Sequence, residues 1–150
     1  MKVLQDSKEK YPWDLTAYGA EQVVKGLKTG DYTLEGYENI VCIERKRNTG
    51  EIAMNLGSKR KQFYAELERM TAFEHRYLIL EFSYTDVLNF PNGSGIPAKK
   101  IPFLRMNKGF IISCLDKIPV DFGIQVIYAG SQVAAEAAVI EIFTEVINGK

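Results

Sequence analysis

Two kinds of apolar spacing alternate along this chain. Short apolar runs occur at Val3-Leu4, at 32–34, at 40–43 and at 77–80. Such runs, bounded by polar or glycine-containing stretches, are too short for a helical repeat and read as strands. The run at 40–46 is apolar at consecutive positions where it starts, the mark of a central strand covered on both faces. Residues 21–27 and 123–128 supply two further strands. Thr29-Gly30 turns the first of these into Asp31, and Gly36 marks a hairpin turn before residue 40. The other spacing is helical. In 59–74, Phe63, Leu67, Met70 and Phe73 fall on one face. In 107–118, Phe110, Cys114 and Ile118 do the same. Ser131 is a good N-cap for a last helix that ends near Asn148-Gly149. Residues 89–102 hold three prolines and two glycines and read as a long loop, the kind that often carries function. Strands interleaved with helices, after an early antiparallel hairpin, predict an α/β fold with a mixed central β-sheet flanked by helices.

Composition narrows the partners. The 150 residues suit one domain, residues 1–150, and 46% hydrophobic content is enough to fold it. Nineteen basic residues balance nineteen acidic ones. Any case for nucleic acid must therefore be local. Charge is indeed uneven. Arg45, Lys46 and Arg47, then Lys59, Arg60 and Lys61, are basic clusters. Residues 96–108 carry Lys99, Lys100, Arg105 and Lys108 without an acid, whereas 129–149 carry Glu136, Glu141 and Glu145 without a base. One basic side and one acidic side fit contact with a phosphate backbone. Cys42 and Cys114 lie in the apolar runs IVCIE and IISCL without metal-ligand spacing, so both are expected as buried free thiols. The polar start MKVLQDSKEK is unlike a signal peptide. No apolar run approaches the roughly 18 residues of a membrane helix, and an intracellular, soluble protein is expected.

The strand at 40–46 ends in Glu44-Arg45-Lys46. Side chains two apart on a strand share a face, so Glu44 and Lys46 lie side by side and Arg45 points the other way. If residue 31 lies on the other arm of the hairpin, Asp31 approaches Glu44. Two carboxylates beside an ammonium make a site for a hard divalent cation, Mg²⁺ or Mn²⁺, which takes carboxylate oxygens and leaves positions open for a phosphate. The lysine can orient or deprotonate water, or hold the phosphate. Asp-X12-Glu-X-Lys is the pattern of the PD-(D/E)XK nucleases, and by itself it is short enough to occur by chance at any charged strand end.

The residues around it are more specific. Gly30-Asp31-Tyr32 followed by Ile43-Glu44-Arg45-Lys46 resembles the GD…ERK signature of the XPF-type structure-specific nucleases. Asp6-Ser7-Lys8-Glu9 is similar to that family's D-x-R-E motif. Gly57 and Gln62 keep its glycine-to-glutamine spacing, and YLILE at 77–81 matches its apolar strand ending in glutamate. The resemblance covers residues 3 to about 82. It implies a restriction-endonuclease-like core and a metal-dependent DNA endonuclease acting on branched or junction-like DNA. The alternatives are a non-catalytic DNA-binding or scaffolding subunit, or a nuclease cutting ordinary duplex. It further implies that Asp31, Glu44 and Asp6 bind Mg²⁺ or Mn²⁺, with Glu9 a weaker candidate, and that Lys46 is catalytic. Lys8, Lys59, Arg60, Lys61 and Gln62 are the expected nucleic-acid contacts.

Three departures stand out. The family signature continues ERK-x-x-x-D, but position 50 is Gly50, with Glu51 one residue late. Lys8 replaces the D-x-R-E arginine and keeps the charge without the planar fork. Ser58 follows Gly57 where the family has arginine. Elsewhere, His75 is expected to cap a helix end or lie at the surface, and Trp13 to pack over a sheet edge. Residues 131–148 are so apolar around most of the helix that a second copy or a related subunit is expected to cover them, with 107–118 contributing. XPF-type nuclease domains also pair.

Overall fold

A computed structural model describes residues 1–149. Six strands form one mixed sheet. In chain order they are β1 (Lys2–Gln5), β2 (Glu21–Val24), β3 (Tyr32–Leu34), β4 (Val41–Lys46), β5 (His75–Leu80) and β6 (Gln125–Tyr128). Across the sheet the order is β2-β1-β3-β4-β5-β6. The β1–β3 and β3–β4 pairs are antiparallel, whereas β1–β2, β4–β5 and β5–β6 are parallel. The expected mixed sheet flanked by helices is what the chain forms.

Five α-helices cover it: α1 (Thr49–Leu56), α2 (Arg60–Met70), α3 (Tyr84–Leu88), α4 (Lys108–Phe122) and α5 (Gln132–Ile147). The alternation of β4 sorts its residues between two cores. Cys42 faces one core with Leu78 and Leu80, filled from α1, α2 and α4 by Ile52, Leu56, Phe63, Leu67, Ile111 and Leu115. Val41 and Ile43 face the other with Ile79, filled from α5 by Val139, Ile142 and Phe143 and from the N-terminal loop by Trp13 and Leu15. Both cysteines are free and buried, and burial pushes the Cys42 thiol well above its ordinary value.

Several boundaries differ from the sequence reading. Strand β2 stops at Val24, three residues early; Lys25 N–H still bonds to the Gln5 carbonyl of β1. Helix α2 is shorter than 59–74, and Phe73 packs from the turn beyond it. Helices α1 and α3 lie in stretches without a legible apolar period. Each is set by its cap: the Asn48 side chain accepts from Glu51 N–H, and Ser83 forms a capping box with Asp86. A 3-10 turn, Ala98–Phe103, lies within the long loop. Helix α4 runs past Pro119 to a left-handed Gly123, and its buried face is Ile111, Cys114, Leu115 and Ile118. Phe110, expected inward, is 44% exposed.

Trp13 sits elsewhere than expected, and His75 lies partly exposed at a strand start. His75 opens β5 and caps no helix; its backbone N–H donates to the Ile40 carbonyl. Trp13 covers no edge. It is fully buried and stacks on Tyr32, the ring centroids 4.5 Å apart. Helix α5 turns Ala135, Val139, Ile142, Phe143 and Val146 to the sheet, all buried within the single chain. Its only buried charge, Glu136, accepts from the backbone N–H of Asp14 at 2.8 Å and ties α5 to the N-terminal loop. One face of the sheet covers this row, and alanines make up much of the rest of the helix. Since Phe143 is completely buried, Phe143→Glu is expected to unfold the chain rather than split a dimer. An uncompensated charge there costs several kcal/mol against a typical total of about 5–15 kcal/mol. Circular dichroism should show the loss of structure at any protein concentration.

Candidate active site

Strand β4 sets the site. It is flanked by β3 and β5, and its last three residues are buried although charged. Asp31 lies just before β3, across from Glu44, since Tyr32 pairs with Ile43. Its backbone is fixed on both sides: Asp31 N–H donates to the Ile43 carbonyl at 2.7 Å, and its carbonyl accepts from Asp6 N–H at 2.8 Å. Its Oδ2 accepts from the backbone N–H of Arg45 at 2.8 Å, in the place of a ladder bond. The preceding turn needs Gly30, with φ of +80°, where a Cβ would meet Cys42 Sγ at 2.5 Å. The Glu44 and Asp31 carboxyls are thereby neighbours, close enough to influence each other's protonation. Lys46 Nζ lies 3.1 Å from Glu44 Oε2 and 5.0 Å from the centre of the Phe63 ring.

The electrostatics follow from this crowding. Burial, then Glu44 and Glu9, hold the Asp31 carboxyl well above the usual carboxylate range, against the Arg45 amide and Lys46. Burial also raises Glu44; Lys46 pulls it back and Glu66 pushes it further up. Burial alone would lower Lys46, but Glu44, Glu51 and Asp31 together outweigh it and raise the ammonium above its ordinary value. The lysine is therefore a cation at neutral pH, and a donor rather than a base. Two crowded carboxyls, both raised by burial and Asp31 further by Glu44, suit a hard divalent cation, whose charge offsets what the protein otherwise meets with protons.

The other face of β4 is a separate structure. Arg45 Nε donates to Glu81 Oε2 at 2.5 Å, and its Nη1 donates to Glu9 Oε2 at 2.8 Å and to the Tyr11 carbonyl at 2.6 Å. Its guanidinium lies 5.0 Å from the Trp13 ring centre. Trp13 Nε1 shares Glu81 Oε2, and the Tyr32 hydroxyl donates to Glu9. Arg45 thus faces away from the carboxylate pair and anchors the loop after β1 to the end of β5.

The remaining sequence candidates fall into place unevenly. Asp6 directly follows β1 and is buried, but its Oδ1 accepts from Leu27 N–H at 2.9 Å, closing the loop after β2. Among the described residues, no group of three or more His, Cys, Asp or Glu side chains is gathered as a metal site. Asp31 and Glu44 are brought together; Asp6 is joined to Asp31 through the backbone, and its carboxylate is engaged by Leu27. Glu9 is committed to Arg45 and Tyr32. Lys8, Lys59, Lys61 and Gln62 are exposed, the last three around the start of α2. Arg60 is less available: its guanidinium lies over Tyr64, 4.3 Å from the ring centre, and 5.6 Å from that of Phe110.

The sequence reading missed Glu66, whose Oε1 accepts from Gly30 N–H at 2.7 Å and so braces the turn that carries Asp31. A carboxylate one helical turn after Gln62 was the available signal. It also left the missing aspartate at position 50 unexplained. Gly50 N–H donates to the Ser94 carbonyl, and a Cβ at 50 would lie 2.4 Å from that oxygen. The loop after α3 packs so closely on α1 that no side chain fits. Glu51 lies near Lys46, which it raises more than Asp31 does, and its Oε1 accepts from Arg47 N–H at 2.8 Å. Gly50→Asp is therefore expected to lower stability by about 1–3 kcal/mol, as overpacking does, without any gain in activity; thermal melts with parallel assays check both.

A model of the ERCC4 domain matches residues 5–139. No curated protein matches the sequence significantly. Among solved structures, the chain is similar to XPF from Aeropyrum pernix, with a TM-score of 0.70 at 19% identity, over 99% of this chain and 65% of that one. The structure of that XPF in complex with DNA gives 0.69 at 20% identity, with the same coverage. The chain thus spans about 65% of the length of these solved relatives. The likeness shows that the mixed sheet and its helices have the restriction-endonuclease-like fold of the XPF nuclease domain. With 135 of its 150 residues inside the family match, the chain belongs to the ERCC4 domain family.

Proposed function

We propose that this chain is a metal-dependent DNA endonuclease that hydrolyses phosphodiester bonds at branched or junction-like DNA. The observation that carries the reading is the meeting of Asp31 and Glu44, from two adjoining strands, with Lys46 on the same face and the signature arginine on the other. Asp31 and Glu44 would hold Mg²⁺ or Mn²⁺, with Asp6 able to contribute its second oxygen. When bound, the ion supplies Lewis-acid stabilisation of charge on the phosphate. Lys46 stays protonated, donates to a phosphate oxygen and offsets charge that builds up there. Phe63 limits where the ammonium can go. Lys8, Lys59 and Lys61 provide exposed phosphate contacts, and the DNA held in the solved relative's complex makes such contacts reasonable here. Pairing with a second copy or a related subunit belongs to the same reading. It rests on the family resemblance, since α5 is already covered, and light scattering at micromolar concentration tests it.

A second reading, a scaffolding subunit that grips DNA without cutting it, is favoured by one observation: Gly50 and the engaged Asp6 leave only two carboxylates together. Incubation with labelled duplex, flap, fork, four-way and single-stranded DNA in Mg²⁺ or Mn²⁺ separates the two. Cutting near a branch supports the nuclease; equal cutting of plain duplex points to a duplex enzyme; binding without cutting points to the scaffold. In the same assay Lys46→Ala is expected to lower the cleavage rate by about a hundredfold or more with DNA affinity changed only a few-fold, because its charge is used in the transition state. Loss of affinity at an unchanged rate would make it a mere phosphate contact.

A further inference from the structure

A groove of about 730 Å³ lies between α1, the start of α4 and the segment 96–107. Its lining is mostly apolar, with Met54, Leu56, Phe103, Leu104, Met106 and Phe110 prominent and Lys100 and Arg105 among them. Phe103 is 83% exposed and Met54 51%. Apolar surface of this kind, left open, calls for an occupant.

The groove is built rather than incidental. Its outer wall is closed onto α1 at two glycines. Gly50 N–H bonds the Ser94 carbonyl at 3.1 Å, and Ser94 itself is buried. A Cβ at Gly57 would meet Met106 at 3.3 Å. The 3-10 turn then presents Phe103 outward. Gly50, in the first turn of the helix that follows β4, lines the groove four residues along the chain from Lys46. Arg60, stacked between Tyr64 and Phe110, links the basic start of α2 to the other side.

Charge selects the occupant. From residue 87 to residue 115 the chain has four cations, Lys99, Lys100, Arg105 and Lys108, and no carboxylate side chain. Aromatic faces flanked by cations on an acid-free surface match a flexible polyanion with flat apolar rings. Bases stack on the rings while phosphates meet the lysines and arginines. Paired bases in a duplex are not free to enter. We propose that this groove binds unpaired nucleotides, a short single-stranded DNA segment one or two bases of which stack on Phe103 and Phe110, so that a strand leaving a duplex is held beside the carboxylate site. The choice of nucleic acid over an acidic peptide rests on the nuclease reading.

Binding in chelator tests it without any cutting. The probes are an oligothymidylate carrying one 2-aminopurine, a duplex with a single-stranded tail, and the same duplex with blunt ends. The variants are Phe103→Ala, whose exposed ring can be removed without harm to the core, and Lys100→Ala with Arg105→Ala. The wild type should quench 2-aminopurine on binding. Phe103→Ala should lose about tenfold to a hundredfold in affinity for the oligothymidylate and the tailed duplex, with the blunt duplex unchanged. The double variant should reduce the salt slope on tailed DNA by about two. No quenching by the wild type, or equal losses on tailed and blunt duplex, overturns the groove. If Phe103→Ala changes neither while an acidic, aromatic-rich peptide competes at the groove, its occupant is a protein partner and the proposal also fails. Mn²⁺-dependent cutting of duplex alongside any of these results leaves the nuclease reading intact. Quenching that depends on Phe103 in a protein that never cuts supports the groove and sinks that reading instead.

Discussion

Glu44→Gln and Asp31→Asn are each expected to reduce metal-dependent cleavage by about a thousandfold or more. Lewis-acid stabilisation of the phosphate is worth several kcal/mol, and each 1.36 kcal/mol is a decade of rate. Unlike most substitutions at buried positions, Asp31→Asn should make the metal-free protein more stable, whereas Glu44→Gln also takes the partner from the buried Lys46. Both carboxyls are raised in the folded state, chiefly by burial and, for Asp31, next by Glu44. A folded protein that holds protons more tightly than its unfolded chain loses stability as pH rises. The loss begins near the ordinary carboxyl range of about 4 and continues upward through the raised values. Melting temperature in chelator should therefore fall as pH rises from 5 to 8, and Asp31→Asn should flatten that fall. A melting temperature that climbs over the same range would show that the pair is not strained by its own charge.

Arg45→Ala is expected to be the most damaging single change outside the apolar cores, at about 3–5 kcal/mol, the usual cost of removing one partner from a buried charge cluster. It would leave the carboxylates of Glu81 and Glu9 facing a void beside Trp13, in a place where Arg45 is 4% exposed. It also frees the Tyr11 carbonyl. The site would then loosen indirectly, because the loop after β1 carries Asp6. Denaturant titration measures the stability directly. A loss below about 1 kcal/mol would mean that the network adapts and that the arginine is kept for another reason. Activity that disappears while stability holds would place Arg45 in contact with DNA.

How much of this was readable in advance depended on whether a feature is local. Strand β4 was legible because four consecutive apolar residues followed by alternating charges leave few other conformations. The Asp31–Glu44 juxtaposition was legible because a hairpin turn at Gly36 fixes which residues face each other. Arg45 could be placed on the far face from alternation alone, but its partners could not. Glu81 reaches it only because β5 lies parallel to β4 with Leu80 beside Lys46, a long-range register that no local pattern carries. Helix α1 stayed hidden because Gly50 argues against a helix. That glycine is there for the Ser94 carbonyl, which comes from 44 residues away. Trp13 was misplaced for a similar reason. A proline-flanked tryptophan reads as surface cover until Tyr32, Arg45 and Glu81 are known to surround it. On α5 one row of large apolar side chains meets the sheet, and of its large apolar side chains only Val133 and Ile147 are exposed.

The central claim is that Asp31 and Glu44 together hold a divalent cation, and Mn²⁺ binding followed by electron paramagnetic resonance tests it without relying on cleavage. The wild-type protein should remove free-ion signal as Mn²⁺ is titrated, saturating at one strong site per chain, with Mg²⁺ competing. Glu44→Gln, folded by circular dichroism, should leave the ion free over the same range. Equal binding by the two proteins, or none by the wild type with or without a DNA duplex present, would contradict the account.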